Sequence, residues 1–438
     1  MFFAALINTV RWLVFDQRKL LAAGFGDRDV FELEMFLPSY ISRHLSRDLS
    51  FHRRRLIFVR DPKLFGLVFK GSEEQLDASS AYAFVKPYFG DKSVLVAQGA
   101  DHFHAKQAVY NVIRENLKIE SDDLMFFGYS ITEIFKTGTY PVMRPVQLLA
   151  GAFVLRTIFG EQGSALADAT IQHAIKETDQ ISGVFLVLPG LVRWTRRLGV
   201  GLTTRRAKIA LRKFIIRQLG RMAVLDDWKS SGPRGAPINR TEIVDNLMTI
   251  LIAGFETTAA TIAWLLYELA HHPDIQIALR GEILERFQQD PARYLAADST
   301  LLARCVFEGM RLHPALPFVI RQATGDFALG DKTAHQNDYI VLAVEEMHWR
   351  HFGQDGLEFR PGRFGTKADL PKTATFGGGT KTCPGRAIAV QEVRTVCALI
   401  VSYFNLRLDK ATDPRVGRNR ISATPRGGMI LSLDRITA

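Results

Sequence analysis

The feature that most constrains this chain is an apolar run that opens near Asn239 and closes at His271-His272-Pro273. Asn239 with Glu242 three residues later makes a capping-box pattern, and Pro273 stops the helix. About thirty residues at 1.5 Å each span roughly 45 Å, enough to cross a whole domain. A helix of that length needs other elements wrapped around it, and no second breaker-rich linker follows. The chain therefore reads as a single unit over residues 1–438. The stretch LMTILIAGF from Leu247 is interrupted by Glu256, which suits a core helix better than a membrane span.

Around this helix the pattern is mainly α with small antiparallel β-sheets. Residues 51–70 hold two apolar runs, LIFV and LFGLVF, that suggest strands on either side of Asp61-Pro62. The pattern from about 100 to 225 is mostly helical, and KSSGPRGAP at 229–237 is an exposed loop. Further helices fit 274–289 and 300–313, with a last one near 386–403. The segment ATPRGGM, 423–429, lies between apolar runs and reads as a hairpin. The N-terminal run MFFAALINTVRWLVF carries Asn8 and Arg11 and gives out at Asp16. It falls short of the roughly 20 apolar residues of a membrane span and reads as a helix packed on the body. Three cysteines in 438 residues fit a reducing cytoplasm and not a disulfide framework.

The strongest chemical signal is Phe376-Gly-Gly-Gly-Thr-Lys-Thr-Cys383-Pro-Gly-Arg. Glycines 377, 378 and 379 let the backbone approach a flat object closely. Pro384 suits the first turn of a helix, which places Cys383 at a helix N-terminus, where the dipole and free N–H groups favour a thiolate. Cys305 and Cys397 lack such a setting and read as buried residues. No CxxC or histidine pair completes a zinc site, and GGGTKT fails as a phosphate loop because Thr380, not Gly, precedes the lysine.

This segment resembles the haem-binding loop of the cytochrome P-450 superfamily, FxxGxxxCxG, at Phe376, Gly379, Cys383 and Gly385. The resemblance implies that Cys383 is the axial thiolate of a haem b, iron protoporphyrin IX. Lys381 stands where relatives carry an Arg or His for a haem propionate. The helix 300–313 holds Glu308 and Arg311, and downstream comes Phe359-Arg-Pro-Gly-Arg363-Phe364. These resemble the family's ExxR and PxRF segments and imply a buried structural triad of Glu308, Arg311 and Arg363.

In the long helix, Ala253-Gly254-Phe255-Glu256-Thr257-Thr258 resembles the family's [AG]GxxT pattern with its acid–alcohol pair. Gly254 costs about 1 kcal/mol relative to Ala inside a helix, so a side chain has been removed where something approaches. A Thr at 257 bonding back to a carbonyl bends the helix into a groove. By resemblance, Glu256 and Thr257 supply protons for dioxygen cleavage. Weaker carry-overs are His102 and Lys106, and Arg321 after HPALPFVIR, as propionate partners, with Gly377 also at the haem. His348 opens a stretch resembling the family's HRD segment. His348 with His351 reads more readily as a satisfied surface pair than as a metal site. Pocket residues implied by the resemblance are Tyr82, Phe84, Tyr88, Met248, Ile252, Ala253, Phe318, Val319 and the pair Ala423-Thr424.

The reading is a haem-thiolate monooxygenase that inserts one atom of dioxygen into a small apolar substrate, a lipid, terpenoid or aromatic compound. Nothing in the chain resembles a flavin or iron–sulfur domain, so electrons come from a ferredoxin or similar donor and its NAD(P)H-dependent reductase. The place is the cytoplasm, with peripheral membrane association as a further option. Alternatives are a peroxygenase, a rearrangement or coupling enzyme of the same fold, and a haem-thiolate sensor or carrier. The Glu256-Thr257 pair argues against them. The formal net charge is +11. Ten cations, Arg193, Arg196, Arg197, Arg205, Arg206, Lys208, Arg212, Lys213, Arg217 and Arg221, lie between Asp179 and Asp226 with no acidic residue among them. By resemblance this is the mobile lid, approximately 160–225, over the substrate entrance. It reads either as a solvated basic face or as a contact for an anionic membrane surface, an acidic carrier protein or an anionic substrate group. Nucleic acid is excluded as a partner by this local clustering.

Overall fold

The structure is a computed structural model. It describes residues 17–38, 51–72, 74–82, 89–115, 121–160, 209, 212, 213, 215, 216, 240–364, 373–412, 422–425, 427 and 429–436. The N-terminal run to Asp16, Asn239, the loop 229–237, Phe84, Tyr88 and nearly all of the 160–225 lid lie outside the described residues.

In chain order the helices are α1 (Gln17–Phe25), α2 (Pro62–Lys70), α3 (Gly99–Glu115), α4 (Ser121–Ile134), α5 (Met143–Phe159) and α6 (Arg240–His271). They continue as α7 (Pro273–Glu282), α8 (Pro291–Ala296), α9 (Leu301–Leu312), α10 (Val344–His351) and α11 (Arg386–Tyr403). The strands are β1 (Val30–Pro38), β2 (Phe51–Val59), β3 (Leu76–Asp77), β4 (Gly138–Pro141), β5 (Phe318–Ala323), β6 (Phe327–Leu329), β7 (Lys332–Ala334), β8 (Tyr339–Ala343), β9 (Phe404–Leu408) and β10 (Ile430–Arg435).

The long helix forms as its sequence requires. α6 has 32 residues, about 48 Å at 1.5 Å each. It is buried along most of its length and packs chiefly against α5, with α9 and α11 also on it. It is the one helix among the described residues long and apolar enough to cross a membrane, yet 78% of its apolar window is buried inside the protein. Its apolar composition is therefore spent on the core. α9 starts at Thr300, whose side chain accepts from the Ala303 N–H, and ends before Pro314.

Among the described residues the strands form three sheets. The largest has the order β1-β2-β8-β5-β3. Its pairings are antiparallel except β2 with β8, which is parallel. A second sheet runs β4-β10-β9, and β6-β7 form a hairpin.

The structure departs from the sequence reading in three places. The run LFGLVF is helix α2, not strand, because Asp61 caps it by accepting from the N–H groups of Lys63 and Leu64 and Pro62 occupies the first turn. β10 pairs antiparallel with β9 across the segment that holds ATPRGGM, as the hairpin reading expects, and takes β4 as a second partner. The helix expected over 274–289 ends at Glu282 and continues as a π-turn, Ile283–Phe287. α10, which carries His348, was not anticipated as an element.

Candidate active site: a cysteine loop, a buried ion network and an opened helix

The loop before α11 is held by backbone bonds. The Cys383 N–H donates to Phe376 O at 2.9 Å, and the Gly377 N–H to Ala374 O at 2.9 Å. Gly377 and Gly379 both have φ of +68°. Two of the loop glycines make close approaches within the protein. A Cβ at Gly379 would lie 2.0 Å from the backbone oxygen of Phe69, and one at Gly378 would lie 2.4 Å from the Phe69 ring. These glycines let the loop sit on α2. Gly377 has the same positive φ without crowding.

Cys383 precedes the Gly385 cap of α11 and stays partly accessible although it is densely surrounded. Burial pushes its thiol up, against the Gly385 N–H on its sulfur and the charges of Lys106 and Arg386, which pull it down. The sequence argument expected the helix terminus to prevail. In the protein alone desolvation outweighs it. A metal that takes the thiolate supplies the missing compensation. Cys305 and Cys397 are fully buried, and burial pushes both thiols up.

Of the expected propionate partners, Lys106 and Lys381 make bonds at this loop. His102 is buried on α3, one turn before Lys106. Lys106 Nζ donates to Thr380 O at 2.6 Å, and burial lowers its pKa. Lys381 Nζ donates to Ala97 O at 2.6 Å and to Ser79 Oγ at 3.3 Å. Ser79 lies on a short helical turn packed against β5, the strand that carries the buried Arg321. Arg321 Nη1 donates to Ile320 O at 3.0 Å. A partly exposed cysteine with an N–H on its sulfur and the charges of Lys106 and Arg386 acting on it fits a thiolate-ligated group that carries carboxylates.

Behind the loop, Glu308 and Arg311 are both fully buried. Glu308 Oε2 accepts from Arg311 Nε at 2.7 Å. Its Oε1 accepts from Arg311 Nη2 at 2.9 Å, Arg363 Nε at 3.1 Å and the Arg360 N–H at 2.9 Å. The remaining Arg311 donors reach Gly356 O at 2.6 Å and Glu358 O at 3.1 Å. Phe352 lies under both guanidinium groups, at 5.0 and 5.5 Å. His348 is no surface residue. It is fully buried, its Nδ1 donating to Arg311 O at 3.0 Å and its Nε2 accepting from the Ala374 N–H at 2.9 Å. This neutral tautomer ties α10 to α9 and to the start of the cysteine loop, and burial pushes its pKa down to about 3. His351 is exposed, and no cluster of metal-binding side chains occurs among the described residues.

The middle of α6 is accessible where the sequence marks it. Ala253 is exposed, and Gly254, Glu256 and Thr257 are partly accessible, between buried turns on both sides. Thr257 Oγ1 donates to Ala253 O at 2.6 Å, and Thr261 Oγ1 to Thr257 O at 2.9 Å. A Cβ on Gly254 would meet Val154 Cγ2 of α5 at 3.2 Å. The missing side chain therefore serves the packing of two helices.

The pocket residues divide. Tyr82, Ala253, Phe318 and Val319 keep accessible surface, whereas Met248, Ile252 and Thr424 are buried. Phe318 and Val319 alternate on β5. Phe318 meets Phe58 edge-on at 6.5 Å, and Val319 packs on the Ile57 and Leu342 cluster of the opposite face. Tyr82 Oη accepts from the Ile320 N–H at 3.3 Å.

Two sets of residues went unread in the sequence. Asp245, Asn246 and Thr249 tie α6 to residues 92–94. Asn246 Oδ1 accepts from the Val94 N–H at 2.8 Å, and the Thr249 and Ser93 hydroxyls meet at 2.7 Å. Arg212, one of the ten clustered cations, pairs with buried Asp245 at 2.5 Å. The polar interruption of the apolar run was the available signal. Ser422 reaches Glu256 across 166 residues of chain with no local pattern to announce it.

Residues 202–431, just over half of the chain, match the family profile described as Cytochrome P450. The chain is 26% identical over 403 residues to a putative cytochrome P450 138 of Mycobacterium tuberculosis, covering 85% of each protein. It is 34% identical over 200 residues to cytochrome P450 714B2 of Oryza sativa subsp. japonica, which is 44% of this chain and 37% of that protein. The matched stretch thus spans well under half the length of the plant relatives. Among solved structures, a retinoic acid-bound cyanobacterial CYP120A1 superposes with a TM-score of 0.78 at 15% identity, covering 98% of this chain and 96% of the other. A crystal structure of CYP102L1 gives 0.74 at 19% identity, covering 96% and 98%.

Proposed function

The chain belongs to the cytochrome P450 family, and from that premise we propose that it is a haem-thiolate monooxygenase acting on a small apolar substrate. Family membership implies haem b with an axial cysteine thiolate. The observation that carries the assignment to Cys383 is its sulfur bonded by the Gly385 N–H at the start of α11 and flanked by Lys106 and Arg386, in a residue that keeps partial exposure. The bound haem supplies activation of dioxygen. Lys106, Lys381, Arg321 and His102 hold its carboxylates. The Glu308, Arg311 and Arg363 network keeps the cysteine loop in place from behind.

Glu256 and Thr257 hold the protons that the reaction consumes. The Thr257 hydroxyl is committed to Ala253 O as donor and keeps acceptor capacity toward a passing proton. Its back-bond shapes the opening in α6. The accessible faces of Tyr82, Ala253, Phe318 and Val319 suit a lipid, terpenoid or aromatic compound, and one similar human protein is named as a hydroxylase of 25-hydroxyvitamin D. Electrons come from a separate ferredoxin-type donor and an NAD(P)H-dependent reductase, in the cytoplasm, and residues 1–438 act as one domain.

The test is the difference spectrum of the reduced protein with carbon monoxide. The thiolate-type Soret band is expected in the unmodified protein and lost in Cys383→Ala. Its persistence in that variant would overturn the ligand assignment.

A further inference from the structure

The proton-delivery pair has a support that no motif predicts. Ser422 is buried, and its hydroxyl donates to Glu256 Oε1 at 2.8 Å. The short segment that carries it is braced from two sides and turned on itself. The Ala423 N–H donates to Ala315 O at 2.8 Å, the Thr424 N–H to Ser422 O at 2.8 Å, and Trp264 Nε1 to Ala423 O at 2.6 Å. Trp264 is itself fully buried and stacked on His313 at 4.3 Å, and His313 Nε2 meets Glu268 Oε1 at 2.6 Å. The indole lies two turns beyond Glu256 on α6, about 12 Å along the axis. The helix that bears the carboxylate therefore also fixes the loop that orients it.

We propose that Ser422 is a positioning residue for Glu256, holding its carboxylate at the edge of the α6 opening beside Thr257. This rests on Glu256 being part of the proton path. A glutamate in a partly accessible site has several rotamers, and ordering it costs entropy. A fixed hydroxyl selects one of them. Because the hydroxyl donates, it also favours the charged carboxylate, the form able to take up the next proton. Motion of the 422–424 segment changes Glu256 directly, so whatever touches that segment bears on proton supply.

The experiment compares the haem-loaded protein with Ser422→Ala, Ser422→Thr and Glu256→Gln. The first readout is an infrared titration of the Glu256 carboxyl, identified by its disappearance in Glu256→Gln. The second is the fraction of reductant electrons recovered as hydrogen peroxide, with a surrogate ferredoxin and reductase and no added organic substrate. Ser422→Ala is expected to raise the Glu256 midpoint by about one pH unit and to increase the peroxide fraction. Ser422→Thr, which restores the hydroxyl, is expected to reverse both. An unmoved midpoint in Ser422→Ala overturns the proposal. So does a change in peroxide fraction that Ser422→Thr leaves uncorrected, since that marks a packing defect. If Glu256→Gln leaves the peroxide fraction unchanged, the role of Glu256 itself fails, and the infrared midpoint still decides whether Ser422 orients it.

Discussion

Replacing Glu308 by Ala tests the network behind the cysteine loop. The substitution removes a fully buried carboxylate that accepts four hydrogen bonds, two from Arg311 and one each from Arg363 and the Arg360 N–H. Arg311 keeps its bonds to Gly356 O and Glu358 O but is left as a buried cation with no counter-charge from Glu308. Breaking one side of such a pair costs about 3–5 kcal/mol. Unfolding entropy near 2.1 cal/mol/K per residue makes each kcal/mol worth about 1 °C in a chain of this length, so Tm should fall by roughly 3–5 °C. Calorimetry of both proteins at one scan rate measures it, because unfolding of a large chain is read kinetically. The double variant Glu308→Leu with Arg311→Met removes both charges and should recover part of the loss. A Tm for Glu308→Ala within about 1 °C of the parent would refute the reasoning, because a buried guanidinium that loses its partner so cheaply was not desolvated.

Three further outcomes are expected. His348 is neutral in the folded protein, with a pKa pushed down to about 3 by burial, whereas the unfolded chain protonates it near pH 6.5. The unfolded state then binds the extra proton between those values, so stability falls as pH drops from 6.5 toward 3, by up to about 1.4 kcal/mol per unit from this group. The slope of denaturation midpoint against pH should flatten in His348→Gln. Gly379→Ala places a Cβ against the Phe69 carbonyl oxygen at a backbone φ of +68°, costing about 1–2 kcal/mol from the backbone alone. It should be read as loss of haem retention on gel filtration while the helical circular dichroism persists. Thr257→Ala removes the hydroxyl bonded to Ala253 O and should raise the peroxide fraction of consumed reductant at least several-fold, with little change in the carbon monoxide spectrum.

What was legible in the sequence was what local rules dictate. The long helix, its stop at Pro273 and the reach of α11 follow from apolar period and terminal residues alone. α2 was misread because a short apolar run looks alike as strand or buried helix. There Asp61-Pro62, a cap followed by a first-turn proline, was the deciding signal. Glu308, Arg311 and Arg363 were legible as a buried network because each belongs to a spaced pattern. The pairing of β10 with β4 was not, since it depends on contacts distant in sequence.

The glycines show why chemistry was easier to locate than to explain. A residue without a side chain reports that something comes close, not what. At Gly378 and Gly379 it is Phe69, and at Gly254 it is Val154. Both contacts are internal, and both set the frame of the site. One seats the cysteine loop on α2, the other seats the opened turn of α6 on α5. The opening itself is then left to small side chains and hydroxyls, with Ala253 exposed and Thr257 bonded back across it. α6 is anchored on its N-terminal side by Asp245, Asn246 and Thr249, and on its C-terminal side by Trp264 and the 422–424 segment. A helix pinned at both sides of an opening cannot relieve a perturbation there by sliding as a unit. Substitutions at Glu256, Thr257 or Ser422 should therefore act on side-chain position and proton supply, and those at Asp245 or Trp264 on the shape of the opening.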